Sequence, residues 1–344
     1  MRWPFPLPPR LDWLQIEMSS HCNASCCYCP RTLVGTRWPS GLLDPALFEE
    51  LTPILRRTRL AFLQGWGEPF THPDFFRFVA IAKAAGCQVG TTTNGMLLDE
   101  ERCRRLVSDG VDLVAFSLAG ATAATNDHWR SGAPLHRVLA AIDRLARCRR
   151  EAGVDRPAIH VAYLLLRSHL DELHQLPTLL ADRGIDQVVI STLDLVLADS
   201  LEPECLQPET EAECATLHDQ LEQLVVAGRE VGLAVHYGFP VPPGAVNHPD
   251  LDCVEDPCHG AFVTADGRVA PCVFLGLPTS GSTAAEDAAW SLPQPSFFGN
   301  LNTKPFTAIW RSRASKDFRR AHRKGPLPPA CRQCTKVRLC TPDL

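Results

Sequence analysis

The sequence predicts an α/β fold, a partial (βα)6 barrel followed by a small cysteine-rich C-terminal extension. Two observations predict the barrel: apolar runs alternate with amphipathic stretches from Arg10 to about Tyr237, and a glycine closes several of those stretches. A third predicts the extension, because beyond residue 238 the texture changes to prolines, short strands and cysteines. The expected division is 10–238 for the barrel and 239–344 for the extension.

Strands are expected near Leu11–Met18, Arg59–Gln64, Gln88–Thr93, Leu113–Leu118, Ile159–Leu165 and Gln187–Thr192. Asp44 and Pro45 read as the N-cap and first residue of a helix whose apolar face carries Leu47, Phe48, Leu51, Ile54 and Leu55. Gly86, Gly110, Gly153 and Gly184 each stand where a helix ends before the next strand. Six parallel units fall short of the eight that close a barrel, which leaves a lateral opening, and chemistry is expected at the C-terminal ends of the strands. In the extension, Pro240–Pro249 reads as a linker and Ser280–Ala289 as a mobile small-residue loop. Gly260–Ala265 and Arg268–Leu275 flank an Asp266-Gly267 hairpin turn, and a helix is expected from Lys304 to Arg323.

Composition is that of an ordinary globular enzyme, 45% hydrophobic and 21% charged, with net charge -5 and no long run of either sign. That balance argues against nucleic acid or an anionic membrane as partner. No apolar stretch reaches the roughly 18 residues of a membrane span, and Met1–Arg10, with four prolines, lacks a signal peptide's apolar core. A cytoplasmic protein is expected.

Fifteen cysteines in such a chain point to metal rather than cross-links. Cys87, Cys103, Cys148, Cys205 and Cys214 are scattered and read as small buried residues. The rest form two zones. In the first, Cys22, Cys26 and Cys29 are spaced so that one loop can ligate three irons of a cubane and leave the fourth open to a small bidentate ligand. A zinc site completed by Cys27 or His21 is the competing reading.

This CxxxCxxC loop, with Tyr28 before its last cysteine, resembles the radical S-adenosylmethionine (SAM) superfamily. Leu63-Gln-Gly-Trp-Gly-Glu-Pro69 is similar to the family's glycine-rich segment, in which Gly65 and Gly67 would let backbone approach a ligand and Glu68 would meet a cationic amine. The resemblance implies a [4Fe–4S] cluster with an open iron site holding SAM. Tyr28 would lie near the adenine, and Asn94 and Ser117 along the ribose and methionine parts. Ala119 stands where the family often has Asp, and Arg130 reads either as a partner of the SAM carboxylate or as a solvated arginine.

The second zone holds Cys253, Cys258, Cys272, Cys331, Cys334 and Cys340 and resembles the SPASM and twitch extensions that hold auxiliary iron–sulfur clusters. The full two-cluster pattern needs more cysteines. One auxiliary [4Fe–4S] cluster on Cys258, Cys272, Cys331 and Cys334 is expected, with Cys253 and Cys340 as substitutes and structural zinc as the alternative. The resemblance implies a maturase that modifies a peptide, protein or cofactor precursor, served by a flavodoxin- or ferredoxin-type reductant. About ten residues precede the first strand, so leader recognition would fall to a separate leader-peptide-binding protein. Readings without SAM chemistry are an iron–sulfur electron carrier and a zinc-stabilised interaction protein. No side chain stands out as catalytic acid, base or hydrogen donor.

Overall fold

The computed structural model describes residues 8–240, 253–277, 295–332, 334–337 and 339–340, without the side chains of Phe239, Pro240, Val337, Leu339 and Cys340. The first strand, β1 (Leu11–Ile16), is the pivot of the sheet. On one side it pairs in parallel with β2 (Thr58–Phe62), and the wind continues through β3 (Gln88–Thr93), β4 (Leu113–Leu118), β5 (Ala158–Leu165), β6 (Gln187–Thr192) and β7 (Ala234–Tyr237). The six expected strands are present within two residues at each end. β7 is an addition: four residues with only Val235 and Tyr237 buried are too short to read as an apolar run.

The helices between the strands bury one face each. The segment begun at Asp44 is two short helices, α2 (Pro45–Glu50) and α3 (Thr52–Leu55), following α1 (Pro30–Val34). Asp44 caps α2 by accepting from the Ala46 amide at 2.8 Å, and Pro53 forces the restart. Then come α4 (Phe75–Ala84), α5 (Glu100–Ser108), α6 (Ala123–Trp129), α7 (Leu135–Glu151), α8 (Leu176–Leu180) and α9 (Glu211–Glu230). Gly86, Gly110, Gly153 and Gly184 all have positive φ, between 67° and 91°, where a side chain would be strained. Cys87, Cys103, Cys148 and Cys205 are buried and Cys214 is half-buried, as small apolar residues are.

The extension does not stand apart from this sheet. Besides a separate two-stranded ladder of β8 (Phe239–Pro240) and β12 (Leu339–Cys340), the hairpin β9 (Gly260–Val263) and β10 (Arg268–Ala270) adds to the other edge of β1, β9 in parallel. β11 (Gly299–Asn300) completes ten strands in the order β11-β10-β9-β1-β2-β3-β4-β5-β6-β7. The expected Lys304–Arg323 helix is broken into α10 (Phe306–Trp310) and α11 (Arg313–Lys324), because Ser312 turns and caps the second piece through the Ser315 amide. The Pro240–Pro249 linker beyond Pro240 and the Ser280–Ala289 loop lie outside the described residues. Among the described residues no helix is long and apolar enough to cross a membrane.

Glu17, just after β1, joins the two parts. Its Oε1 accepts from the Trp66 amide at 2.9 Å, in the loop after β2, and its Oε2 accepts from the Ala265 amide at 3.0 Å, in the hairpin of the extension. Burial raises its pKa to about 7, against the opposing pull of those two amides. A carboxyl raised above its unfolded value favours folding most below pH ~4.5, and that contribution is lost as pH rises through about 7. Over that window the shift amounts to roughly 3 kcal/mol. Denaturation of wild type and Glu17→Gln from pH 5 to 8 should therefore show the wild type losing stability relative to the variant as pH rises. Parallel curves would mean that ionising Glu17 carries no folding cost.

Candidate functional site

Two cavities meet at the C-terminal ends of the strands. The larger, about 390 Å³, is lined by the three cysteines of the first zone and by the ends of β2 to β6. The loop carrying Cys22, Cys26 and Cys29 is stitched to the C-terminal end of α6 and the turn after it by bonds from the Cys27 amide to Trp129 O and from the Ser25 amide to Ser131 O. The thiols are held by their surroundings: the Ala24 amide donates to Cys22 Sγ at 3.4 Å, and Asn94 Nδ2 approaches the same sulfur at 3.8 Å. Burial pushes the Cys22 thiol up and the Cys29 thiol to about 11, the latter helped by its neighbour Cys26. Thiols raised by burial, as Cys22 and Cys29 are, ionise against a nearby cation, which iron supplies.

The two candidates for a fourth zinc ligand face elsewhere. Cys27 is exposed and its Sγ donates to His128 O, while the His21 ring is bonded to Ser40 Oγ at 2.8 Å. Donors around one tetrahedral zinc stand about 3.8 Å apart, given bonds near 2.3 Å. Among the described residues no three cysteine sulfurs lie within 4.8 Å of one another; the one trio of metal-ligating groups that does is Asp12, Asp256 and His259. Thiolates on separate irons of a cubane need the wider spacing.

The glycines after β2 have a packing role as well. A Cβ on Gly65 would fall 2.4 Å from the Glu17 side chain, and one on Gly67 would fall 2.1 Å from Ser19 O and 2.5 Å from His21 O. Both therefore permit close packing of this loop on β1 and the cysteine loop, besides lining the cavity. Glu68 is buried, and burial raises its pKa. Its Oε1 accepts from Thr93 Oγ1 at 2.7 Å and from the Phe70 amide at 3.3 Å, and its Oε2 from the Asn94 amide at 2.8 Å. Three of about four acceptor positions are filled, leaving one for a ligand amine. Asn94 is likewise committed, donating to Asn23 Oδ1 at 2.8 Å and accepting from the Met96 amide at 2.9 Å. Ser117, at the end of β4, lines the same cavity.

Arg130 is not solvated. It is 4% exposed, lines this cavity, and donates from Nη1 to Tyr28 Oη at 2.9 Å. Its Nε is buried and finds no partner among the described residues. Thr192 Oγ1, at the end of β6, is a second orphaned buried group on the cavity wall. Unmet polar atoms are costly, so their presence fits a polar ligand here, with a carboxylate on Arg130. Sequence reasoning missed Thr192, and also Asp194, Leu195 and Phe274, which line both cavities.

The second cavity, about 300 Å³, is lined by Cys253, Cys272, Cys331 and Cys334. Cys258 is not among them: its Sγ donates to Arg319 O at 3.7 Å. Cys253, expected only as a substitute, takes that place because the turn through Asp256, with φ of 33°, carries Cys258 away. The side chain of Cys340 lies outside the described residues. Burial pushes Cys253 and Cys331 up to about 12 and also raises Cys272 and Cys334, so this group too calls for a cationic partner.

Comparisons with known proteins agree with this geometry. Residues 16–176 match the radical SAM superfamily profile, and residues 253–335 match that of an iron–sulfur cluster-binding domain, SPASM. The chain is 26% identical over 341 residues to the tungsten-containing aldehyde ferredoxin oxidoreductase cofactor-modifying protein of Pyrococcus furiosus, covering 96% of this chain and 89% of that one. It is 26% identical to the PqqA peptide cyclase of Gluconobacter oxydans, covering 96% and 84%. The fold matches SAM-bound SuiB of Streptococcus suis, with a TM-score of 0.66, 14% identity and 96% and 72% of the two chains covered. It also matches SAM-bound anSMEcpe, with a TM-score of 0.64, 17% identity and 96% and 85% covered. The chain thus carries a radical SAM domain and a SPASM domain, the pairing of an enzyme that works with SAM, a [4Fe–4S] cluster and an auxiliary iron–sulfur cluster.

Proposed function

We propose that this enzyme is a maturase that abstracts hydrogen from a peptide, protein or cofactor precursor, with Cys22, Cys26 and Cys29 holding the SAM-cleaving cluster. The observation that carries the reading is the buried Nε of Arg130, orphaned on the wall of the cavity those three thiols line. When bound, the cluster supplies one electron to the sulfonium of SAM, releasing methionine and a 5′-deoxyadenosyl radical. The chain's own groups do the rest. Arg130 holds the SAM carboxylate, and Glu68 offers its remaining lone pair to the amine. Tyr28 and Ser117 border the nucleoside, and Asn94 ties the loop after β3 to the cysteine loop. Trp66, Leu164, Leu193, Leu195 and Phe274 make the apolar wall that keeps water from a reactive intermediate.

The auxiliary cluster would be held by Cys253, Cys272, Cys331 and Cys334. The working division is a radical SAM barrel at 10–238 and an auxiliary-cluster unit at 239–344. A peptide or cofactor-precursor substrate is supported by what the relatives are named for, similarity to them running nearly the full chain. A flavodoxin- or ferredoxin-type reductant, a separate leader-binding protein where the substrate is a ribosomal peptide, and a cytoplasmic setting that keeps the thiols reduced complete the proposal.

Anaerobically reconstituted protein should carry roughly eight irons per chain, falling to roughly four in the Cys22/Cys26/Cys29→Ala variant. Cys253→Ala should lose the auxiliary iron and Cys258→Ala should keep it; the reverse outcome would return Cys258 to the ligand set. Bound zinc with near-zero iron would end the enzyme reading.

Arg130→Met keeps the volume and removes the charge. A charge-assisted hydrogen bond is worth roughly 1.5–3 kcal/mol, so SAM binding should weaken about 10- to 100-fold by calorimetry, with iron content unchanged. Unaltered affinity would exclude Arg130 from the SAM site.

A further inference from the structure

We propose that the outward face of α11 is the docking surface for an acidic one-electron carrier protein that exchanges electrons with the auxiliary site. The inference rests on the auxiliary-cluster reading above and adds to it where the partner sits.

Helix α11 carries six cations and one carboxylate, Asp317, a charge of +5 on twelve residues in a chain whose net charge is -5. Its two faces have different duties. Toward the protein, Ser315 is fully buried, and Phe318 and His322 line the four-cysteine cavity, with His322 Nε2 at 3.3 Å from Cys331 Sγ. Arg319 folds inward as well, its guanidinium 4.0 Å over the Trp310 ring and its Nη2 donating to Trp310 O at 3.0 Å.

Toward solvent, Lys316, Arg320, Arg323 and Lys324 recur at i, i+4, i+7 and i+8 on a single stripe. All four are exposed, and none has an ion-pair partner among the described residues, where the helix's one ion pair joins Arg313 and Asp317 at 3.5 Å. Like charges three and four residues apart weaken a helix. The helix dipole offsets this for Arg323 and Lys324 in the last turn but not for Lys316 and Arg320. The fold thus keeps a repulsive stripe that no carboxylate among the described residues neutralises.

Position selects the partner. The stripe lies across the helix from the cysteine cavity, so a protein seated on it is separated from the cysteines by little more than one helix, roughly 10–12 Å. A carrier with an acidic face would be steered there, and faster at low salt. From Lys316 to Lys324 the stripe spans only about 12 Å, a short track for a nucleic acid, whose affinity grows with the number of phosphates met. In the exchange one electron leaves the reduced auxiliary cluster and one enters the oxidised carrier, and no atom moves.

The test is binding of an acidic plant-type [2Fe–2S] ferredoxin to reconstituted holoenzyme from about 50 to 200 mM salt. Wild type should weaken about tenfold or more over that range. The triple variant Lys316→Glu, Arg320→Glu, Arg323→Glu should bind about tenfold more weakly at low salt and lose most of the salt dependence, and the corresponding Gln triple should fall between. Both variants should keep the iron content, the auxiliary EPR signal and dithionite-driven SAM cleavage within about twofold. Ferredoxin binding unchanged in variants with those properties overturns the docking surface. So does a variant that loses affinity for duplex DNA or anionic vesicles while keeping ferredoxin. A wild type with no auxiliary signal instead overturns the reading beneath it.

Discussion

Everything at the mouth of this barrel depends on one backbone contact, the seating of the loop after β2 on the cysteine loop after β1. The Glu68 amide donates to His21 O at 2.7 Å, and Gly67 lies so close that a methyl group would enter the Ser19 and His21 carbonyls. Glu68 then reaches past the contact to the Thr93 hydroxyl and the Asn94 amide, and Asn94 turns back to Asn23 and Cys22. Three strand ends are thereby locked around the triad before any ligand binds. Preorganisation of this kind is what a short-lived radical requires, since a displacement of about an ångström at the reacting atoms can cost orders of magnitude in rate.

The electrostatics follow from the same closure. Burial around this cavity raises the Glu68 carboxyl and the Cys22 and Cys29 thiols, and leaves the Arg130 guanidinium short of acceptors. Those are complementary deficits. The thiols call for cations and the arginine for an anion, and an iron–sulfur cluster together with the carboxylate of SAM would meet both.

What the sequence made legible was local. The cysteine spacing, the glycine-rich segment and the strand runs are each contained in a few consecutive residues, and they led to the barrel, the triad and the order of the parts. What it hid was decided by partners distant in the chain. Arg130 is buried because Tyr28, 102 positions away, and the loops after β1 and β4 enclose it. Gly65 is needed because of Glu17, whose own role spans 248 positions to Ala265. Cys253 and Cys258 are five residues apart and chemically alike; only the left-handed turn at Asp256 decides which faces the cavity. β7 escaped because four residues carry too little periodicity to register.

Beyond the pairing of β9 with β1, two charged side chains fasten the extension to the barrel, and that constrains how the two cavities communicate. Glu17 grips the hairpin at Ala265. At the end of β6, Asp194 pairs with Lys336 at 2.7 Å and accepts from Thr335 Oγ1 at 3.0 Å, with Asp194 and Lys336 only 10% and 14% exposed. A pair buried to this degree adds little net stability, yet losing one partner strands the other at a cost of roughly 3–5 kcal/mol, a large part of an ordinary folding margin. Its contribution is therefore to registry: Lys336 stands two residues after Cys334, so fixing it fixes the second cavity against β6. With Asp194, Leu195 and Phe274 shared by both cavities, the wall between the SAM site and the auxiliary cysteines is one side chain thick in places. The cysteines of the second cavity are thus held at a set distance from those of the first, and the fold sets that distance through a charge pair and a buried glutamate.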